Sequence, residues 1–410
     1  MNNMMEPKIR FKGFEGEWKT STIGEIAPLS GGYAFQSNHF SSVGIPIVRI
    51  SNILETGIVG GVFAKYATFD GDADFRLYDG DAVIAMSGAT TGKVAIVHTQ
   101  GFLYQNQRVG KFTKTDRVIY DFLTTIVKSH KFRADLSCLL TSSAQPNASS
   151  KDIDSITQSI PLDKDEQQVI GKYFTSLDSQ IYASTSRLAS LKQMKAASLQ
   201  AMFPQEGETV PKIRFKGFEG EWKKVKLNEC LEISKERNIN GEYGINEVLS
   251  VSDEEGVMNQ IKLLGRSFAG KSVTNYKVLR TNQVVYTKSP LKAKPYGIIK
   301  VNKGDTGIVS VLYAVYDVKV NTNPDYIHYY FDPTFRINSY LLPLINKGAK
   351  NTMNISDEVS LQGYISLPSL SEQQAIASYF TSLDRQISLQ SQRLEKLKQI
   401  KSACLDKMFV

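Results

Sequence analysis

A 38-residue segment that occurs twice, Glu166 to Phe203 and Glu372 to Phe409, constrains the whole fold. The two copies align without a gap and are identical at 22 positions. A second pair is closer still: residues 7–19 and 211–223 both read PKIRFKGFEGEWK. The short segment repeats at an offset of 204 residues and the long one at 206. The chain is thus a tandem duplication of about 205 residues per copy, each a short strap, a variable domain and a long helix. In the straps, Phe11, Phe14, Trp18, Phe215, Phe218 and Trp222 are expected to be apolar anchors.

Pro161 and Pro368 close the variable domains. Asp163 and Ser369 each precede a Glu by three residues, Glu166 and Glu372, which is capping-box spacing at a helix start. Within the first long segment Ile170, Phe174, Leu177, Ile181, Leu188 and Leu191 step by four and three, skipping one turn at Ser184. In the second, Ile376, Phe380, Leu383, Ile387, Leu394 and Leu397 repeat the register, skipping at Gln390. This is a heptad seam, and pairing of the two helices with each other is the economical way to bury it. The seam then admits Lys195 and Lys401, so the last turns are expected to face another surface or fray. At 1.5 Å rise per residue each helix would run roughly 57 Å. Parallel helices would require the second domain to span that length to return the chain. An antiparallel coiled coil removes the requirement and predicts two domains on the order of 50 Å apart, related by a pseudo-twofold axis.

Between strap and helix the copies diverge. Short apolar runs broken by Gly, Asp and Asn, such as 81–86, 93–97, 282–286 and 307–316, have a strand-and-turn texture. Each domain then shows a helical patch with a matching dipeptide, Phe132-Arg133 and Phe335-Arg336, followed by 145–149 and 351–356. The predicted fold class is α+β: two mixed α/β domains separated by two long helices that form an antiparallel coiled coil. The boundaries read as strap 1–19, first domain 20–160, first helix 161–205, linker and second strap 206–223, second domain 224–367 and second helix 368–410.

Hydrophobic residues at 41% and charged residues at 22% are those of a folded globular protein, so disorder is not expected. The start has no apolar core of signal-peptide length. The longest apolar run, Ile308 to Tyr316, is under half a membrane span, so no membrane association and a cytoplasmic location are expected. Cys138, Cys230 and Cys404 are unclustered and read as packing residues. The formal charge of +8 fits a polyanionic partner. Its distribution is uneven: residues 1–206 hold 21 cationic against 20 acidic side chains, residues 207–410 hold 28 against 21.

Catalytic motifs fail on inspection. Gly88-Ala-Thr-Thr-Gly-Lys93 has three residues between its glycines where a P-loop needs four, and Val94 stands where Ser or Thr belongs. It reads either as a turn offering Thr90, Thr91 and Lys93 to a phosphate or base, or as a plain surface turn. Asn323-Pro-Asp-Tyr326 departs from the amine-holding motif of amino-methyltransferases at Asp325, and the chain has no Gly-x-Gly loop for S-adenosylmethionine. It reads as a turn opening a helix. Residues 70–81 imitate a calcium loop but place Phe75 where Gly is required. His39, His98, His130 and His328 show no triad or metal spacing, so neither catalytic residue nor metal nor cofactor is expected in this chain.

Stretches where donors, cations and aromatics interleave are the candidates for reading DNA. In the first domain these are Gln105, Asn106, Gln107 and Arg108, with Thr90, Thr91 and Lys93. In the second they are Lys288, Ser289, Lys292, Lys294 and Tyr296, then Lys347, Lys350 and Asn351. Two domains held apart by a rod would read a split site, two specified elements separated by unspecified base pairs.

The duplicated PKIRFKGFEGEW, the SGATTGKV of residues 87–94, the NQRV of 106–109 and the twice-used EQQxIxxYFTSLD opening resemble the specificity (S) subunits of type I restriction-modification enzymes. The resemblance covers the whole chain, although Thr287-Lys-Ser-Pro-Leu-Lys-Ala-Lys stands in place of the SGATTGK loop in the second domain. It implies two target recognition domains and an antiparallel coiled coil. It implies double-stranded DNA, two methyltransferase subunits carrying S-adenosylmethionine, and motor-nuclease subunits using ATP and Mg as partners. The helix faces would hold the methyltransferase subunits as well as each other. The alternatives are a stand-alone DNA methyltransferase and a coiled-coil protein-interaction scaffold that never touches DNA.

Overall fold

The computed structural model describes residues 7–141, 147–270, 272–288, 294–347 and 353–409. Both long segments are single uninterrupted helices, Lys164–Ala201 and Leu370–Met408. They contain no proline, whose missing N–H would break the ladder, and one glycine, Gly171. That glycine permits a close approach, since a Cβ there would lie 2.7 Å from the backbone nitrogen of Phe122. Along the seam Ile170, Phe174, Leu177, Leu191, Ile376, Phe380, Leu383 and Leu394 are buried. Ile181, Leu188, Ile387 and Leu397 are half-buried.

The chain divides into two compact units, residues 1–186 with 391–410, and residues 187–390. Each unit therefore combines the start of one long helix with the end of the other. In the first unit, strand Trp18–Thr22 pairs antiparallel with Thr157–Pro161, tying the strap to the far end of the variable domain. An antiparallel sheet runs in the spatial order Leu29–Ser30, Val109–Phe112, Ala82–Ala85, Val94–Ile96. A second sheet orders Ala64–Tyr66, Ile45–Val48, Leu103–Gln105, Arg76–Leu77, with one parallel pair between its middle strands. Ala82-Val-Ile-Ala85 is buried throughout because it serves two cores: Ala82 and Ile84 face the helices, Val83 and Ala85 the second sheet.

The second unit repeats this plan. Strand Lys223–Lys226 pairs with Tyr364–Leu367, and the main sheet orders Leu231–Ile233, Tyr313–Val318, Val284–Thr287, Ile298–Val301. Hairpin Leu249–Ser252 with Gly256–Asn259, and the pair Lys277–Leu279 with Gly307–Val309, complete it. Asn323 opens helix Pro324–Phe331: its side chain accepts from the Tyr326 N–H and Pro324 occupies the first turn, as the motif predicts.

In each unit the helix ends meet antiparallel, and the contacts are duplicated residue for residue. In the first, Phe174 packs against Phe409 with ring centroids 6.3 Å apart, and the Tyr173 hydroxyl lies 3.6 Å from Cys404 Sγ. In the second, Phe380 stacks on Phe203 at 6.1 Å and Tyr379 meets the Ser198 hydroxyl at 3.0 Å. Trp18 and Trp222 are the buried strap anchors, edge-on to Phe122 and Phe203 respectively. Phe11 and Phe215 are half-buried and meet Tyr173 and Tyr379 edge-on.

Two expectations are corrected. Lys401 and Lys195 neither fray nor face away: Lys401 pairs with Asp178, and Lys195 with Asp384 at 2.8 Å. The third partner is charge-reversed between the units. Lys128 joins Asp178 at 3.0 Å, whereas Asp332, 204 residues further on, joins Lys195 at 3.3 Å. Burial works against the Asp178 carboxylate, but Lys128 and Lys401 outweigh it and hold its pKa below the usual range. The capping boxes are half-formed. Asp163 and Ser369 do accept from backbone N–H groups, of Asp165 and Glu372. The side chains of Glu166 and Glu372 instead receive Arg10 and Arg214 in bidentate pairs, both contacts of each pair at 2.7 Å. Each arginine also donates to two strap carbonyls, Glu15 and Gly16 or Glu219 and Gly220, which explains why the strap and the helix opening recur together. The matching dipeptides both lie in helices as expected, His130–Thr141 and Thr334–Leu341, and pack differently. Phe132 is buried and Arg133 exposed, whereas Phe335 is exposed and Arg336 buried, donating to the carbonyls of Tyr330 and Leu199 at 3.0 Å each.

Candidate nucleic-acid interface

The variable domain is held on the helix start by the glutamine that follows each paired glutamate. Gln167 accepts from the Ile119 N–H at 2.8 Å and donates to the Pro161 carbonyl at 2.8 Å. Gln373 does the same with Asn323 at 2.9 Å and Pro368 at 3.0 Å. Ile119 and Asn323 are 204 residues apart, so the two domains hang from their helices in one register.

That register carries to the turn before the last sheet strand. In the first unit the turn is Asn106-Gln107-Arg108: the Asn106 carbonyl accepts from the Val109 N–H at 2.9 Å and its side-chain oxygen from the Arg108 N–H at 3.3 Å. In the second it is Ser310-Val311-Leu312: the Ser310 carbonyl accepts from the Tyr313 N–H at 3.0 Å and its hydroxyl from the Leu312 N–H at 3.4 Å. An Asn in one and a Ser in the other close the same turn. The tips, Gln107-Arg108 and Val311-Leu312, are exposed. A planar amide and a guanidinium suit the acceptor and donor pattern of purine edges; two aliphatic side chains do not.

Gln105 leaves the candidate set. Its side chain is fully buried, with the amide nitrogen donating to the Ser30 and Val109 carbonyls at 2.8 Å each. It fixes the turn from beneath. The turn at 88–91 lies on the same unit: Thr91 donates to the Gly88 carbonyl at 2.7 Å, Thr90 makes a 3.5 Å contact to the Ile50 carbonyl, and Lys93 pairs with Glu55. Gly88 and Gly92 adopt positive φ (75° and 84°), which L side chains adopt at a cost. Lys93, Lys128, Arg133 and Lys401 line a cavity of about 390 Å³ beside this turn.

The second-unit candidates fare differently. Lys294 is buried, donating to the Asp332 carbonyl and pairing with Asp253, both at 2.8 Å. Lys300 joins the same network at 2.9 Å from Asp332. Both lysines neutralise acidic groups inside the unit, so Lys294 is removed from the surface set. Lys288 pairs with Asp357, and Tyr296 is half-buried against the helix core. Lys347 forms a strand with Asn346, while Ser289, Lys292, Lys350 and Asn351 lie outside the described residues. Sequence reasoning missed Ser310, Val311 and Leu312. The signal that could have found them is the constant 204-residue offset from Asn106.

Among the described residues no group of His, Cys, Asp or Glu could hold a metal ion, and no helix is long and apolar enough to cross a membrane. Two copies of one strap, sheet and helix assembly, each presenting the same turn with different side chains, define a tandem architecture. The sequence profile of the type I restriction modification DNA specificity domain matches residues 15–193 and again residues 219–399. The chain therefore belongs to the type I restriction-modification DNA specificity family, whose members recognise DNA and do not themselves catalyse its modification. A crystal structure of the S subunit of a type I system from M. genitalium shares the fold, with a TM-score of 0.65 over 99% of both chains at 12% identity. The HsdS subunit from Thermoanaerobacter tengcongensis gives a TM-score of 0.40 at 16% identity, over 96% of each chain. No curated protein sequence matches the chain.

Proposed function

We propose that the chain reads a bipartite site on double-stranded DNA, one half-site with each unit. The recognition domains are residues 20–160 and 224–367. Asn106, Gln107 and Arg108 would meet base edges, and Thr90, Thr91 and Lys93 the adjoining phosphates. The observation that carries this reading is the duplicated turn on a duplicated scaffold, alike in backbone and different in tip. The number of residues in the two long helices would set the spacer between half-sites. The apolar side chains exposed on those helices, Tyr182 and Met194 on the first and Leu389 and Ile400 on the second, support a docking role for two methyltransferase subunits. Those subunits would bring S-adenosylmethionine, and motor-nuclease subunits ATP and Mg.

Mapping methylated adenines in host DNA tests the reading: a two-part motif with an unspecified gap is expected, and a continuous motif or none would refute it. Binding of a site-bearing duplex by the complex should weaken steeply with salt, because phosphate contacts release counterions. Deleting one heptad from both helices should shorten the gap or abolish activity and leave both half-sites unchanged.

A further inference from the structure

The two tips impose different chemistry on the two half-sites. Val311 and Leu312, 46% and 64% exposed, occupy the places of Gln107 and Arg108. Leu312 lines a cavity of about 210 Å³ with Phe268, Ala269 and Tyr276; Lys288 and Gln260 line it too, the first paired with Asp357 and the second hydrogen-bonded to Ser250 and Ser267. Phe268 is itself 59% exposed and carries the Arg266 guanidinium over its ring at 4.6 Å. An aliphatic tip is thus continuous with an aromatic surface and rimmed by an exposed cation. That pattern suits an anionic partner with an apolar feature at its centre. An aliphatic group set against an adenine, guanine or cytosine edge would strip those polar atoms of water without replacing their hydrogen bonds. In the major groove one apolar group is on offer, the C5-methyl of thymine.

We infer that the second unit recognises thymine methyl groups through Val311 and Leu312, with Phe268 beside them and Arg266 on the flanking phosphate. The inference rests on the bipartite DNA reading and specifies its second half. The half-site read by the first unit depends on hydrogen bonds from Gln107 and Arg108; the other depends on apolar contact.

The test uses the complex of this chain with its methyltransferase partner and a duplex carrying the mapped site. The half-site of the second unit is the one whose discrimination survives Arg108→Ala. Thymines in it are replaced one at a time by uracil, which removes the methyl and nothing else. Affinity is expected to fall about fourfold for each contacted methyl, from the burial value of one methyl-sized group. With Leu312→Ser the difference between uracil and thymine duplexes should shrink, and with Val311→Ala and Leu312→Ser combined the two should bind alike. Leu312 is exposed, so the variant should keep the thermal stability of the parent, and circular dichroism checks this. Uracil without effect at every position, or an effect that persists in full in both Leu312→Ser and Val311→Ala, overturns the inference while leaving the bipartite reading intact. If the parent complex does not prefer the mapped duplex to a scrambled one, the DNA reading itself falls.

Discussion

The two units share the polar contacts that fix strap and domain to the helix starts and differ at their tips. Arg10 with Glu166 and Arg214 with Glu372 are the same interaction twice, as are Gln167 with Ile119 and Gln373 with Asn323. The tips that these contacts position have nothing in common: Gln107-Arg108 against Val311-Leu312. Within the turn itself, the boundary between what is kept and what changes lies between the Asn or Ser that closes it and the two residues after. Buried polar groups are costly to leave unpaired, so both partners must persist together; an exposed tip carries no such penalty. A scaffold so arranged can exchange its exposed tip residues without refolding.

The shared half of the comparison breaks most severely at the helix ends. Phe409→Ala and Phe203→Ala should each destabilise by about 3–5 kcal/mol. Hydrogen exchange should place the loss in the first unit for Phe409 and in the second for Phe203; a loss spread evenly over both would contradict the division. Next come Glu166→Ala and Glu372→Ala, which leave an arginine without its carboxylate and should cost about 3–5 kcal/mol, toward the lower end because the strap carbonyls still receive it. Denaturant midpoints should fall by similar amounts in the two variants.

The divergent half breaks at lower energies. Arg108→Ala should cost about 1–3 kcal/mol of discrimination at one base pair of one half-site, read by competition binding, with the other half-site unchanged. His328→Phe should have the smallest effect at neutral pH. Burial, then the nearby Lys300, push the imidazole pKa down to about 3, and the buried Nδ1 has no hydrogen-bond partner among the described residues. The unfolded chain takes up a proton near pH 6.5 that the folded unit refuses until about pH 3, so stability falls as pH drops through that window. Thr124 stands at the corresponding place in the first unit. His328→Phe should therefore flatten the acid slope of the second unit alone, seen as pH-dependent exchange.

Much of this fold is legible from residue order. Periodicity and length identify the long helices, and Asn-Pro-Asp-Tyr marks its helix start because capping is local. Partnership across the chain is not legible. Glu166 sits at capping distance from Asp163, but its side chain turns to Arg10, 156 positions away. Lys195 and Lys401 look like defects in an apolar stripe until Asp384 and Asp178 are seen beside them. Gln105 and Arg108 read alike as hydrogen-bonding residues, and only the fold puts one at the buried end of a strand and the other on an exposed turn. In the second domain a search for cations found Lys294, which is occupied internally, and passed over two aliphatic residues.

One arrangement governs how the chain comes into being. The backbone nitrogen of Ile9 donates to the carbonyl of Lys407 at 3.3 Å, and Ile213 makes the matching bond to Ala201 at 3.0 Å. The second bond joins neighbours in sequence, and the first joins segments almost 400 positions apart. During synthesis the second unit, residues 187–390, is complete once its own stretch has left the ribosome. The first, although translated earlier, must wait for residues 391–410 to cover Phe174 and Trp18. The half of the molecule that is made first is finished last, and until then its helix start exposes an apolar face to the cell.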